Sequence, residues 1–223
     1  MTQEILIAGA TGRTGKIIVN KLIQRGITPH VLVRDLPHAQ ELWQKSVIYH
    51  LGDVREPETL LTAMDGVYAV ISAIGAQSPV GKNCPKRVGC EGVANLVNAA
   101  CLEGVERFIL ISSIAVTHPE NPMNHFGKIL EWKLKGEEAL RESVLDYAII
   151  RPGGLKDTPG GERMLVLSQG DDMLGMISRS DLAEICLQAL QYPHKLNVTF
   201  EVIESDQEKQ PQRRPQLASL VMD

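Results

Sequence analysis

The 223-residue chain has no apolar run approaching the roughly 20 residues that a membrane-spanning helix needs, so no span is expected. Its four cysteines, Cys84, Cys90, Cys101 and Cys186, are scattered, with no CxxC pair and no histidine cluster beside them. That pattern speaks against a metal site or a disulfide framework and for free thiols in a reducing compartment. Cys84 and Cys90 alone are close enough in sequence to pair or to share a metal. Lys and Arg gather in no stripe and the net charge is −4, which excludes nucleic acid as an expected partner. No signal or transit segment is visible before the first strand, and no internal repeat is seen. The expected location is therefore the cytoplasm or another reducing compartment such as a stroma.

What is present begins with "ILIAGATGRTGKIIVNKL", Ile5 to Leu22. Ile5–Ala8 reads as a short buried parallel strand. Ile17, Ile18, Leu22 and Ile23 recur at helical spacing. Between them stand Gly9, Gly12 and Gly15. A strand, a glycine turn and a helix N-terminus together make a phosphate site, because the first N–H groups of the helix are unpaired. Glycine also lets a ligand approach the backbone. The spacing is GxxGxxG rather than GxGxxG, and such glycines also serve packing alone.

The rest of the chain alternates strand and helix patterns. Strands are expected at 29–33, 47–51, 67–72, 107–113 and from 146. Helices are expected at 36–44, 56–64, 85–104 and 131–143. Val93, Leu96, Val97 and Ala100 form one face of the long helix, and Gly104 follows as a C-cap. This alternation predicts an α/β fold, a doubly wound parallel sheet with helices on both faces in three layers. One domain over 1–223 is expected, with a small substrate-side region at about 152–178. The polar run 204–216 reads as a solvated tail leading to a last short helix.

Ligands of such sheets lie at the carboxyl ends of the strands. Those ends are the glycine turn, Val33-Arg34-Asp35, Gly52-Asp53-Val54, Ser72-Ala73-Ile74-Gly75, Ser112-Ser113 and Arg151-Pro152-Gly153-Gly154. Most carry the small or polar residues that a dinucleotide's approach requires. An acid at the end of the second strand would bind the ribose of NAD. Here Arg34 comes first, and its guanidinium can grip a 2′-phosphate with two hydrogen bonds. Arg13 offers a second contact, so NADP(H) is favoured over NAD(H). Asp35 would reverse that choice if it faced the pocket. Arg34 could also spend itself on a surface ion pair with Asp35.

The stretches "GATGRTG", "GDV", "VISAIGA", "GVANLVNAA", "RFILISS", "LDYAIIRPGGL" and "ISRSDLAEICLQAL" occur in an order that resembles the short-chain dehydrogenase/reductase superfamily. More narrowly they resemble its atypical, NmrA-like and biliverdin-reductase-B-like branch, and "HPENPMNHFGKILEWK" is similar to a plant and cyanobacterial group within it. The resemblance implies a Rossmann fold and NAD(P) binding. It implies a phosphate turn of Gly9, Thr11, Gly12, Arg13, Thr14 and Gly15. Asp53 and Val54 would hold the adenine, although Asp53 also reads as a turn cap. Ala73, Ile74 and Gly75 would line the ribose and nicotinamide side. Ser112 and Ser113 would lie under the nicotinamide, and Pro152, Gly153 and Gly154 would close over it.

The superfamily's catalytic pair is a Tyr followed four residues later by Lys. The resemblance puts that Lys at Lys133, followed by Glu137, and leaves Ile129 where the Tyr belongs. Tyr49, Tyr68, Tyr147 and Tyr192 all lie outside that helix. Lys133 is either a ribose contact or a solvated helix lysine. Ser113, Lys133 and His118 are the catalytic candidates. His118 and His125 follow the fifth strand and are candidate replacement acids. Two functions remain open. One is an NADPH-dependent reductase of a flavin, quinone or similar planar acceptor. The other is a non-catalytic NADP(H)-binding protein for redox sensing or assembly, with a protein partner.

Overall fold

The computed structural model describes residues 4–192, 197–208 and 217–223. The apolar runs become β1 (Ile5–Ala8), β2 (His30–Val33), β3 (Ile48–Leu51), β4 (Ala69–Ser72), β5 (Arg107–Ile111) and β6 (Asp146–Pro152). Between them lie α1 (Arg13–Gln24), α2 (Leu36–Trp43), α3 (Leu61–Met64), α4 (Gly92–Leu102) and α5 (Ile129–Arg141). Then come β7 (Gly154–Lys156), β8 (Arg163–Ser168), β9 (Met176–Ser178), α6 (Arg179–Leu190) and β10 (Val198–Glu208). The main sheet has the order β3-β2-β1-β4-β5-β6-β10-β8. All its pairings are parallel except that of β8, which runs antiparallel to β10 at one edge. β7 and β9 form a separate parallel pair. The expected doubly wound three-layer fold is the one observed.

Alternation along the strands builds the two cores. Ile5, Ile7, Val31, Val33, Ile109 and Ile150 face one way, onto Ile18 and Leu22 of α1 and Ile185 and Ala189 of α6. Leu6, Ala8, Val70, Phe108 and Ile149 face the other, onto Val93, Leu96, Val97 and Ala100 of α4. Arg107 is buried at the start of β5. It bonds Asp146 at 2.6 Å and the carbonyls of Leu190 and Tyr192 at 3.0 and 2.6 Å, so a cation closes the C-terminus of α6.

Three expectations need correction. The helix expected at 56–64 is a 3₁₀ turn over Pro57–Thr59 followed by the short α3. Thr59 explains the break: its hydroxyl bonds the Glu56 carbonyl at 2.7 Å and accepts the Asp53 N–H at 3.0 Å, competing with helical bonding. The long helix is continuous but widens to a π-turn over Lys86–Glu91 before α4. The polar run from Glu204 does not start as a solvated tail, since β10 continues to Glu208. The stretch 209–216 lies outside the described residues. The final residues are anchored, with the Asp223 carboxylate accepting from the hydroxyls of Thr199 at 2.5 Å and Tyr147 at 3.2 Å.

α5 is held to the sheet by charge as well as by packing. Glu137 is fully buried, and its carboxylate receives Arg151 of β6 through Nε at 3.1 Å and Nη2 at 2.7 Å. Arg141 adds a bond at 2.8 Å. Removing one member of a buried pair strands the other charge, which costs about 3–5 kcal/mol. Glu137→Ala is therefore expected to lower the unfolding free energy by about that amount in urea titrations. The double variant Glu137→Leu/Arg151→Met should recover only part of the loss, because Arg151 also faces the buried Asp171 carboxylate at 3.8 Å.

Candidate functional site

The strand order reverses between β1 and β4, and a crevice opens at the carboxyl ends of these strands. A cleft with about 690 Å³ of free space lies there. It is lined by Gly9, Thr11 and Gly12 from the glycine turn, Arg34 after β2, Asp53 and Val54 after β3, and Ala73, Ile74 and Gly75 after β4. These nine expected residues come together in one space. Gly9 has φ +78°, and a Cβ there would stand 2.7 Å from the Ala73 carbonyl oxygen. Only glycine lets β1 turn so close to the end of β4. Gly12 caps α1 with no side chain over the helix's first N–H groups. That open N-terminus, with the positive end of the helix dipole, fits a pyrophosphate.

Other expected residues stand elsewhere. Thr14 and Gly15 are buried inside the first turn of α1, and a Cβ on Gly15 would collide with the Gly9 carbonyl, so Gly15 serves packing. Arg13 does not join Arg34. Its guanidinium is drawn to the Asp157 carboxylate, which also receives Arg179 at 2.8 Å. Asp35 is occupied in capping α2, accepting the His38 N–H at 3.1 Å. It neither lines the cleft nor pairs with Arg34.

Sequence reasoning missed Arg55, Gln77, Asn83 and Val88, all of which line the cleft. Arg55 lies two residues past Asp53 in "GDVRE", and that spacing was its only signal. Its Nε bonds Asp53 Oδ1 at 2.8 Å and its Nη2 bonds Oδ2. The Arg55 hydrogen bonds, above all, hold the Asp53 carboxyl below its usual pKa. Asp53 also accepts the Arg55 N–H at 3.0 Å, so its carboxylate acts as a turn cap and is engaged on both oxygens. Arg55 Nη1 further donates to the Lys82 carbonyl at 3.1 Å and to Asn83 Oδ1 at 3.0 Å. Arg34 Nη1 reaches the same Asn83 oxygen at 3.3 Å.

A second, smaller cavity continues from Ile74 to Ser112 and Lys133, with Gly89, Val93, Leu110 and Ile111 around it. The π-turn serves both spaces, since Val88 lines the first and Gly89 the second. Gly136 lets α5 approach, because a Cβ there would strike the Gly89 carbonyl. Lys133 Nζ donates to the carbonyls of Ile111 at 3.3 Å and Ser112 at 3.2 Å. Its stem is partly exposed, but protein surrounds the ammonium, and desolvation lowers the pKa from 10.5 to about 8 against the opposing pull of Glu137. Ser112 Oγ is buried with no hydrogen-bond partner among the described residues.

Ser113, His118, Pro152, Gly153 and Gly154 line neither space. His118 is bound through Nε2 to the Asp171 carbonyl at 3.0 Å and through Nδ1 to Glu120 at 3.2 Å. The bond to the Asp171 carbonyl, then that to Glu120, raises its pKa. His125 sits exposed in the 3₁₀ turn Pro122–His125. Gly153 packs against Gly175, whose carbonyl oxygen would lie 2.5 Å from an added Cβ. Ile129 begins α5 and packs on the small cluster of Ala115, Val116 and Leu130. All four cysteines are free. Among the described residues no helix is long and apolar enough to cross a membrane, and no group of three metal-ligating side chains forms.

An open helix N-terminus and a glycine turn at the switch point define a dinucleotide-binding protein of the doubly wound class. The NAD(P)H-binding family profile matches residues 9–193. The chain belongs to that family, as the resemblance to the NmrA-like branch implied. It is 32% identical to sanguinarine reductase of Eschscholzia californica, over 89% of this chain and 88% of that protein. An uncharacterized chloroplastic protein of Arabidopsis thaliana is 32% identical over 84% of this chain, which spans 65% of that longer relative. Protein TIC 62 of the Arabidopsis thaliana chloroplast is 29% identical over 95% of this chain and 39% of its own length. Among solved structures, a putative NAD-dependent epimerase/dehydratase from Bacillus halodurans superposes with a TM-score of 0.81 at 26% identity, covering 92% of this chain and 96% of that one.

The position of Lys133 makes its charge a stability term. With a folded pKa near 8 and an ordinary value of 10.5, the unfolded chain binds the extra proton between these limits. Stability contributed by Lys133 therefore rises with pH across that window, by about 1.4 kcal/mol per unit of displacement. Urea midpoints at pH 7.5 and pH 10 should shift the comparison with Lys133→Met in favour of the wild type at the higher pH. A constant difference would mean that Lys133 titrates like a solvated lysine.

Proposed function

We infer that this chain is an NADP(H)-dependent reductase whose acceptor needs no positioned protein acid, such as a flavin, a quinone or a similar planar molecule. The second cavity, with Ser112 and Lys133 beside the nucleotide cleft, supports a reductase, and the missing acid limits what it can reduce. Four residues before Lys133, where the superfamily has a tyrosine, α5 begins with Ile129 packed into an apolar cluster. Isoleucine donates no proton, and both histidine candidates stand outside the two spaces. A bound nicotinamide supplies hydride, and the protein's part is to hold and shield it. Gly9, Thr11 and Gly12 receive the pyrophosphate at the head of α1. Ile74 forms the wall between the two spaces, with Ser112 and Lys133 beyond it. Lys133 and the unpartnered Ser112 hydroxyl are the polar groups offered to the ribose and the nicotinamide. The segment 152–178 borders the acceptor.

The kinship with sanguinarine reductase supports reduction of a planar acceptor. NADP(H) is favoured over NAD(H) because Arg34 makes one hydrogen bond among the described residues and keeps its other N–H groups for a 2′-phosphate. Asp35 is held in its helix cap and does not oppose it. The absent donor equally favours a second reading, in which bound nucleotide reports redox state to a protein partner, and the kinship with TIC 62 supports it. A reducing compartment, cytoplasm or stroma, suits both.

Rates with a panel of acceptors separate these readings. General acid assistance is worth about 100- to 10,000-fold. Simple ketones and aldehydes should therefore be reduced slowly or not at all, while a flavin or a quinone is reduced readily with NADPH. No turnover with any planar acceptor would favour the sensing role. Brisk carbonyl reduction would show that another residue supplies the proton.

Nucleotide affinities test the cofactor choice. Arg34→Ala should weaken NADPH by about 10- to 100-fold, the worth of a lost bidentate charged contact, and leave NADH unchanged. Equal weakening of both would assign Arg34 to the fold.

A further inference from the structure

Arg34 and Arg55 both donate to one neutral oxygen, Asn83 Oδ1, at 3.3 and 3.0 Å. Asn83 ends the loop 77–83 after β4. Its backbone carbonyl accepts the N–H groups of Gln77 at 3.1 Å and Ser78 at 3.4 Å, which closes the loop on itself. The loop is therefore tied to the adenosine end of the cleft through two guanidinium groups. Its far side packs on the turn before α5, since Pro79 presses on Gly127, where a Cβ would collide with the Pro79 carbonyl. Gly127 lies two residues before α5, the helix of Lys133.

A guanidinium has five N–H groups. Arg55 uses Nε and one Nη2 hydrogen on Asp53, and both Nη1 hydrogens on Lys82 and Asn83. One N–H remains. Arg55 can offer a phosphate two parallel hydrogen bonds only by giving up a loop contact, because Asp53 is a charged partner and the loop acceptors are neutral. A phosphate dianion binds guanidinium more strongly than an amide oxygen does.

The geometry points to Asn83 as a specificity-determining residue that makes the loop 77–83 a reader of the cofactor's ribose phosphate. A 2′-phosphate takes Arg34 and one Nη1 hydrogen of Arg55 from Asn83, and the loop keeps a single tie to the adenosine end, the Lys82 carbonyl on Arg55. A nucleotide without that phosphate leaves the loop tied. The two cofactors then differ in how they hold the loop against the turn before α5, the helix of Lys133, as well as in affinity. This rests on the NADP(H) reading above.

Hydrogen–deuterium exchange of the full chain tests it, with adenosine 2′,5′-bisphosphate and 5′-AMP as probes and calorimetry giving the affinity of each. The Gln77 and Ser78 amides are the reporters. Saturation with the bisphosphate should speed their exchange by about five- to tenfold, the effect of losing a typical hydrogen bond, and 5′-AMP should not. Asn83→Ala should show fast exchange without nucleotide and no further response. Asn83→Asp, which replaces the neutral acceptor by a charged one, should keep exchange slow and weaken the bisphosphate by about tenfold relative to 5′-AMP. Equal protection by both nucleotides, or tight bisphosphate binding that leaves the reporters unchanged, overturns the role of Asn83 alone. If the bisphosphate binds no better than 5′-AMP and Arg34→Ala changes neither, the cofactor reading falls and the role of Asn83 with it.

Discussion

The carboxylate of Glu137 is wholly buried, and a charge in that position persists only if it is met by another. Arg151 meets it from β6 with two bonds. This one pair decides where α5 lies. Lys133 stands one turn earlier on the same face, so its ammonium is carried to the end of β5 and onto the carbonyls of Ile111 and Ser112. Gly136, beside Glu137, lets α5 come against the π-turn, and that contact closes the second cavity around Gly89. A shift of α5 along the sheet would undo the cavity and the lysine's position together.

Much of the fold was legible because alternating strands and helices leave a strong pattern. The first six strands, the apolar face of α4 and the αL glycine at its end (Gly104, φ +70°) all follow from local chemistry. The parts that were not legible depend on partners distant in sequence. β8 is a strand because it pairs with β10, and its own run carries no alternation that would separate it from a loop. The same holds at the site. The residues at the ends of β1 and β4 line the cleft where the fold class says to look. Asn83 was not legible in this way, since its role exists only after Arg34 and Arg55 converge on it from two other strands. The pairing of Arg13 with Asp157 was equally hidden, because a position in the glycine turn does not reveal a carboxylate from a distant segment.

The two spaces differ in how they are built. The nucleotide cleft is made largely of backbone and small residues at strand ends, so its shape is set by the sheet. The space beyond Ile74 combines the end of β5, at Leu110, Ile111 and Ser112, with Val93 of α4, Lys133 of α5 and Gly89 of the widened turn.

The segment that carries Asp171 also depends on the last strand described. Asp171, buried with φ +68°, accepts the N–H groups of Ala115 and Thr117 at 2.6 and 2.8 Å. Its own N–H is received by Glu201 of β10 at 2.5 Å, and Glu201 also holds the Met173 N–H at 2.8 Å. During synthesis the segment that carries Asp171 leaves the ribosome some thirty residues ahead of Glu201, as the numbering shows. β1 to β6 can assemble by then, and the cleft for nucleotide with them. The segment around Asp171 waits for β10. A nascent chain therefore presents every strand of its nucleotide cleft before it presents the residue that fixes the Asp171 segment.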